Sequence, residues 1–103
     1  MITEIIFNNF DTEINREEPV VLEFYTSTCA HCKKLAGILD KLSNETAGAF
    51  FGKCNVENEP GIQQRYDVSA VPTLLFIKKG EVKNRLVGEV HPLIIQEEIK
   101  KLL

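Results

Sequence analysis

Short apolar runs alternate along the chain with segments whose apolar residues recur every three or four positions. The run Val20–Tyr25 is apolar except for Glu23, a pattern typical of a strand that is covered on both faces of a sheet. We therefore expect this strand at the centre of the sheet. Further apolar or β-branched runs predict strands over residues 2–7, 49–56, 73–78 and 82–87.

Helices are predicted from apolar spacing and from residues that favour helix ends. Asn8 or Asn9 is the expected N-cap of the first helix, and a proline stands near the start of the last two. The predicted helices span residues 8–16, 33–42 and 60–66 and the segment that begins at His91-Pro92. The apolar residues that the last helix offers for burial are Leu93, Ile95, Ile99, Leu102 and Leu103.

The order of these elements predicts a sheet with both strand directions. A strand, a helix and a strand over residues 20–56 form a βαβ unit, so these two strands are parallel. Lys79-Gly80-Glu81 is a tight turn between the last two strands, so they are antiparallel. Because no repeat, low-complexity tract or linker interrupts the pattern, we expect one α/β domain over residues 1–103. Its fold would be a central mixed five-stranded sheet flanked by about four helices.

The composition narrows the classes of partner. Hydrophobic residues make up 44% and charged residues 26% of the chain, which is ordinary for a globular protein and argues against disorder. The net charge is -3 and the basic residues do not cluster, so we expect no nucleic-acid partner. No apolar run approaches the roughly 18 residues that cross a bilayer, and the N-terminal residues resemble no signal or transit peptide. We expect a cytoplasmic monomer without a membrane partner.

Cys29 and Cys32 stand one helical turn apart where a strand gives way to a helix. At this spacing a disulfide closes a small ring with little backbone movement, which makes it a switchable bond. Unpaired N–H groups and the positive end of the helix dipole stabilise a thiolate on the first cysteine. We therefore expect Cys29 to attack a disulfide and Cys32, which faces inward, to resolve the product.

Other interpretations of the cysteines are a permanent disulfide and half of a zinc site. Zinc needs about four ligands, but the chain has no second CxxC, and Cys54 and His91 lie on distant elements. We expect neither a metal nor an organic cofactor. Three cysteines cannot all pair within one chain, so a reducing compartment fits better. Cys54 is interpreted as a small buried hydrophobe, with a regulatory thiol as the alternative.

Several segments together resemble the thioredoxin family. They are Val20–Tyr25, Cys29-Ala30-His31-Cys32-Lys33, Val71-Pro72-Thr73 and Leu86-Val87-Gly88. The resemblance runs from the first strand to the last helix without a large insertion, and it implies the thioredoxin fold with redox-active Cys29 and Cys32. It also implies reduction of disulfides in protein substrates through a mixed disulfide, with thioredoxin reductase as the electron donor.

The resemblance implies roles for residues around the cysteines. Glu23 holds the position of a buried acid beneath the second cysteine, which implies a proton acceptor for Cys32. Lys53 matches a lysine near that acid and is a candidate modulator, with a solvated strand end as the alternative. A cis Pro72 beside the disulfide would leave backbone free to pair with an extended substrate. The residues implied to contact substrate are Thr28, Ala30, Val71, Pro72 and Gly88.

The chain departs from the family at several positions. Thr28 stands where tryptophan is common, Gly37 where a proline often kinks the helix, and Ala30-His31 where many members have Gly-Pro. Glu23-Phe24-Tyr25 with His31 is more similar to a protein disulfide isomerase domain. A protonated His31 would stabilise the thiolate and push the couple toward oxidation. His31 therefore suggests a disulfide isomerase or oxidant as one alternative. An alternative of another class is a non-catalytic binding module that uses the Val71-Pro72 groove.

Overall fold

The computed structural model describes residues 1–103 as a five-stranded mixed sheet flanked by four helices. The strand order is β1-β3-β2-β4-β5; β1, β3 and β2 are parallel, and β4 and β5 are antiparallel to their neighbours. The predicted fold class is confirmed. The elements are β1 Thr3–Glu4, α1 Phe10–Ile14, β2 Val20–Tyr25, α2 Ala30–Glu45, β3 Phe50–Asn55, α3 Pro60–Arg65, β4 Thr73–Lys78, β5 Glu81–Val87 and α4 Pro92–Lys100.

β2 lies in the middle of the sheet, as predicted, and divides its side chains between two cores. Val20, Leu22 and Phe24 face the core that α1 and α3 cover. Val21 faces the core that α2 and α4 cover. Because side chains alternate along a strand, Glu23 points to the same face as Val21, toward α2. Glu23 is the one charged side chain among the buried residues.

The first strand is shorter than predicted. β1 comprises only Thr3–Glu4, although the apolar run continues to Phe7. The backbone N–H of Ile6 donates to Asn9 Oδ1 at 2.8 Å, and that of Phe7 donates to Glu59 Oε1 at 2.9 Å. The prediction of a strand over residues 2–7 is wrong at both ends, and at residues 6 and 7 the reason is that side-chain acceptors compete with the sheet for the backbone N–H groups.

The helix after the cysteines is longer than predicted. α2 spans Ala30–Glu45 instead of residues 33–42. It starts early because Cys29 is its N-cap, with the backbone N–H of Cys32 donating to Cys29 Sγ at 3.1 Å. It continues through Gly37 without interruption. The buried residues of the helix lie on one face at helical spacing, and they are Cys32, Leu35, Leu39 and Leu42.

The other boundaries lie within two residues of the predicted ones, and Asn9 is the N-cap of α1 as expected. The last helix departs from its predicted burial. α4 packs through Ile95 and Ile99, whereas Leu93 is 61% exposed and Leu103 is 65% exposed. Leu93 lies about 200° around the helix from Ile95, so the prediction that it is buried is wrong.

No helix combines the length and the hydrophobicity that a membrane crossing requires.

Candidate active site

The two cysteines lie at the carboxyl end of the central strand, where the chain enters α2. Cys29 and Cys32 are joined in a disulfide, with their Cα atoms 5.2 Å apart. Cys29, at the N-cap, is half-buried, whereas Cys32 is 1% exposed. The Cys29 sulfur is therefore the one that a protein substrate can reach, and the Cys32 sulfur faces the interior.

The segment Val71-Pro72 reaches the same end of the sheet as the cysteines. β2 pairs with β4 so that Phe24 lies opposite Thr73, which places the residues just before Thr73 beside the loop after β2. The Val71-Pro72 peptide bond is cis, as the resemblance implies. The backbone N–H of Gly88 donates to the Pro72 carbonyl at 2.8 Å. Gly88 has a φ of +88°, which favours glycine over any residue with a side chain.

The remaining residues implied to contact substrate differ in exposure. Thr28 and Ala30 are exposed on either side of Cys29. Val71 is half-buried and packs against the core of the α1 and α3 face. Pro72 is buried. The structure thus joins Pro72 and Gly88 by a hydrogen bond and leaves Thr28 and Ala30 open to solvent at the start of α2.

Glu23 is fully buried beneath the disulfide, and neither oxygen of its carboxylate has a hydrogen-bond partner. It lies in register with Lys53 on β3 and Leu74 on β4. Glu23, Lys53 and Cys32 line one cavity of about 230 Å³. Burial penalises the ionised carboxylate and raises the pKa of Glu23 to about 7, and the positive charge of Lys53 lowers it by less.

Tyr25 and Glu4 complete the polar groups on this face, although neither was predicted as a site residue. The Tyr25 hydroxyl hydrogen-bonds both carboxylate oxygens of Glu4, at 2.9 and 3.0 Å. Lys53 Nζ lies 5.6 Å from the centroid of the Tyr25 ring, a cation–π distance. Tyr25 also lines the cavity that Glu23 and Cys32 share. Its place two residues after Glu23 on one strand was the only signal in the sequence.

His31 lies on the exposed rim of the site, with 70% of its side chain accessible. Its Nδ1 is hydrogen-bonded to a carboxylate oxygen of Glu89, and the other oxygen of Glu89 lies 3.8 Å from Lys34 Nζ. The hydrogen bond to His31 and the charge of Lys34 lower the pKa of Glu89. Glu89 was not predicted as a site residue, because 58 positions separate it from His31.

The third cysteine is isolated from this site. Cys54 is fully buried on β3, and burial raises the pKa of its thiol to about 12. A buried thiol of this kind is inert, so the interpretation of Cys54 as a small hydrophobe fits its position. No group of three or more His, Cys, Asp or Glu side chains is arranged to hold a metal ion.

A profile of the thioredoxin family matches residues 2–101. The chain belongs to the thioredoxin family. It is 35% identical over 92 residues to thioredoxin-1 of Saccharomyces cerevisiae, an alignment covering 89% of this chain and 88% of the yeast protein. It is 33% identical over 93 residues to a thioredoxin of Chlorobaculum thiosulfatiphilum, covering 88% and 86% of the two chains. The resemblance inferred from the sequence motifs is confirmed.

Relatives from plants are longer. The chain is 34% identical over 91 residues to the chloroplastic M-type thioredoxin of Spinacia oleracea, covering 87% of this chain and 50% of that protein. The chain therefore spans about half the length of the chloroplastic relatives that it matches. Among solved structures, it superposes with a TM-score of 0.87 and 28% identity on a chain from a study of the thiol resolving mechanism in yeast mitochondrial 1-Cys peroxiredoxin via glutathione/thioredoxin systems, covering 98% and 95% of the two chains.

Proposed function

We propose that this thioredoxin-family chain is a thiol-disulfide oxidoreductase that reduces disulfide bonds in protein substrates. The observation that carries the proposal is the arrangement of the two sulfurs: Cys29 is accessible at a helix N-terminus, and Cys32 is buried beside an unpartnered carboxylate. An accessible sulfur suits attack on a bulky substrate. A buried sulfur next to a base suits a second step that must exclude other thiols.

In the first step, the Cys29 thiolate attacks one sulfur of the substrate disulfide. The substrate S–S bond breaks, a mixed disulfide with Cys29 forms, and the other substrate sulfur leaves as a thiolate. The helix N-terminus supports this step because its N–H groups stabilise negative charge on Cys29 Sγ. The backbone N–H of Cys32 already donates to that sulfur.

In the second step, the Cys32 thiol gives its proton to the Glu23 carboxylate and attacks Cys29 Sγ. The Cys29–Cys32 disulfide forms, the mixed disulfide breaks, and the second substrate sulfur leaves as a thiolate. Two electrons have then passed from the dithiol to the substrate. A pKa of about 7 suits Glu23 to this role, because a base is most effective when its pKa lies near the working pH.

The substrate would lie across Thr28, Ala30 and the Val71-Pro72 segment. The Pro72 carbonyl already accepts a hydrogen bond from Gly88, and proline has no N–H to donate. Val71 lies outside the helices and strands, and its backbone N–H and C=O form no backbone hydrogen bond there. We therefore infer that Val71 provides the backbone groups that pair with an extended substrate.

The partners that we propose are disulfide-containing proteins and a thioredoxin reductase, which would return two electrons to the disulfide. We infer that residues 1–103 act as one domain and as a monomer, in a reducing compartment such as the cytoplasm. Lys53 would modulate Glu23 through its charge.

The proposal is tested by following reduction of the insulin disulfides with dithiothreitol as the final reductant. Wild-type protein should accelerate the reduction, and Cys29→Ser should abolish the acceleration. Cys32→Ser should retain the first step only, so a covalent complex with substrate should accumulate and be visible by mass spectrometry. Cys54→Ser is the matched control and should behave as wild type. Wild-type protein without activity would contradict the proposal and favour the binding module.

A disulfide isomerase or oxidant is the second candidate, and the place of His31 between the two cysteines in the sequence favours it. The two candidates differ in the reduction potential of the Cys29/Cys32 pair. Thioredoxin has a potential of about -270 mV and protein disulfide isomerase one of about -180 mV. Equilibration with a defined glutathione buffer measures the value, and a result near the less negative end would assign the isomerase or oxidant function.

A further inference from the structure

Three charged residues form a row across the parallel part of the sheet. Glu4 on β1 lies in register with Lys53 on β3, and Lys53 lies in register with Glu23 on β2. Residues in register on adjacent strands project to the same face of a sheet. Glu4, Lys53 and Glu23 therefore project together toward α2, with the lysine between the two carboxylates.

Tyr25 anchors the outer end of this row. Its hydroxyl donates to the carboxylate of Glu4, with both oxygens within 3.0 Å, and its ring lies under the ammonium group of Lys53. Two residues separate Tyr25 from Glu23 along β2, so their side chains share a face. The carboxylate of Glu4 is thus held on the side of the sheet where the proton acceptor lies, although Glu4 itself is exposed.

We propose that Glu4 is a positioning residue for the proton acceptor. Its anchored carboxylate repels the ionised form of Glu23 and so opposes the attraction of Lys53 for that form. Glu23 thereby stays protonated up to a higher pH than Lys53 alone would permit. This inference rests on the proposed function, in which Glu23 accepts the Cys32 proton.

The physical basis is the opposition of one cation and one anion acting on the same buried group. A cation near a carboxylate favours its ionised form and an anion disfavours it. Strands are spaced by about 4.8 Å, so residues two strands apart lie about 10 Å from each other. At that distance two charges still interact when one of them is buried, because salt screens buried groups less. The charge of Glu4 accordingly raises the pKa of Glu23.

Apart from Lys53 and Glu4, the groups around Glu23 contribute little charge to its surroundings. From α2, Cys32 and Lys33 line the cavity that Glu23 shares, and from β4 the neighbour in register is the apolar Leu74. Lys33 is exposed, so solvent screens its charge. Tyr25 is neutral in the working pH range, because burial and the hydrogen bond to Glu4 raise its pKa.

The test is an NMR titration of the Glu23 carboxyl carbon in the oxidised protein. Glu4→Gln keeps an oxygen that can accept from Tyr25 and removes only the charge, so the midpoint of Glu23 should fall by about half a pH unit. Tyr25→Phe keeps the ring but releases the Glu4 carboxylate into solvent, and it should lower the midpoint by less. This second variant keeps the test valid if Glu4→Gln destabilises β1.

Glu17→Gln is the matched control, because it makes the same charge change at a side chain that is 92% exposed and pairs only with Lys79. It should leave the midpoint unchanged. An unchanged or raised midpoint in Glu4→Gln would overturn the inference, as would an equal fall in Glu17→Gln, since the effect would then come from net charge.

A second measurement separates this inference from the proposed function. The pH dependence of the resolving step should move to lower pH in Glu4→Gln by the same amount as the Glu23 midpoint. A midpoint that moves while the rate profile stays fixed would support the charge coupling and would contradict the role of Glu23 as the proton acceptor.

Discussion

Two glutamates flank the Cys29–Cys32 disulfide, and their surroundings shift their pKa values in opposite directions. Glu23 lies in the interior without a hydrogen-bond partner, and burial raises its pKa to about 7. Glu89 lies on the rim, and its hydrogen bond to His31 lowers its pKa. The same side chain is therefore suited to accept a proton near neutral pH at one position, and it favours the ionised form at the other.

The interior around Glu23 and the rim around Glu89 also differ in the strength of charge interactions. Removing a buried carboxylate relieves a desolvation penalty that is not offset by any hydrogen bond. Removing a carboxylate that is 48% exposed changes an interaction that solvent and salt screen. We therefore expect substitutions beneath the cysteines to have large effects on rate and stability, and substitutions on the rim to have small ones.

The largest effect is expected on the resolving step. Glu23→Met replaces the carboxylate with an apolar side chain of similar length and removes the group that we propose as the proton acceptor of Cys32. The rate of this step at pH 7 should fall about 100-fold, the lower range for loss of a general base. Single-turnover kinetics with a preformed mixed disulfide measure it. The rate of this step in Glu89→Gln should stay within about twofold of the wild-type rate. An equal loss of rate in both variants would contradict the expected difference between the interior and the rim.

The same Glu23→Met variant should be more stable than wild type. The folded protein protonates Glu23 near pH 7, whereas the unfolded chain does so near the ordinary value of 4.5, so the buried charge destabilises the fold above pH 7. This difference corresponds to about 3 kcal/mol. The gain should be fully present at pH 8 and should shrink as the pH falls from 7 toward 4.5. Denaturant unfolding at pH 8 and pH 5 measures it, and equal gains at both pH values would contradict the prediction.

A smaller effect is expected from substitution of Lys53 on β3. The charge of Lys53 favours the ionised form of Glu23 and lowers its pKa. Lys53→Met should therefore raise the midpoint of Glu23 by about one pH unit, the size of a charge interaction between neighbouring strands. An NMR titration of the carboxyl carbon measures the change, with Lys79→Met as a control at an exposed turn. A midpoint that falls would show that Lys53 acts by another route.

The smallest effect is expected on the rim. Glu89→Gln removes a negative charge next to His31 and Lys34, so the Cys29 thiolate of the reduced form gains stability. The reduction potential should become less negative by only about 10 to 20 mV, because solvent screens the charge of an exposed ion pair. The shift should shrink at high salt. A shift that exceeds 60 mV, or one that salt does not change, would show that the charge of Glu89 acts as strongly as a buried charge and would contradict the prediction.

The sequence predicted the part of the site that burial and local order control. A strand covered on both faces must be apolar, so the bounds of β2 were predicted correctly and Glu23 stood out as a charge in an apolar run. The helix start placed Cys29 outside and Cys32 inside, because those positions follow from one turn of helix. The apolar run at residues 2–7 was a weaker guide, since its backbone N–H groups could find partners other than a strand.

The contacts that tune the site depend on the tertiary structure. Glu89 reaches His31, and Glu4 reaches Tyr25, across 58 and 21 positions of sequence. The local pattern of apolar and polar residues does not predict such pairs, because the order and register of the strands bring them together. The sequence by itself determined the family, the fold class and the position of the cysteine pair at the start of a helix. Only the folded chain decided which charges face Glu23 and His31, because charge interactions depend on distances and burial that arise when distant strands pair.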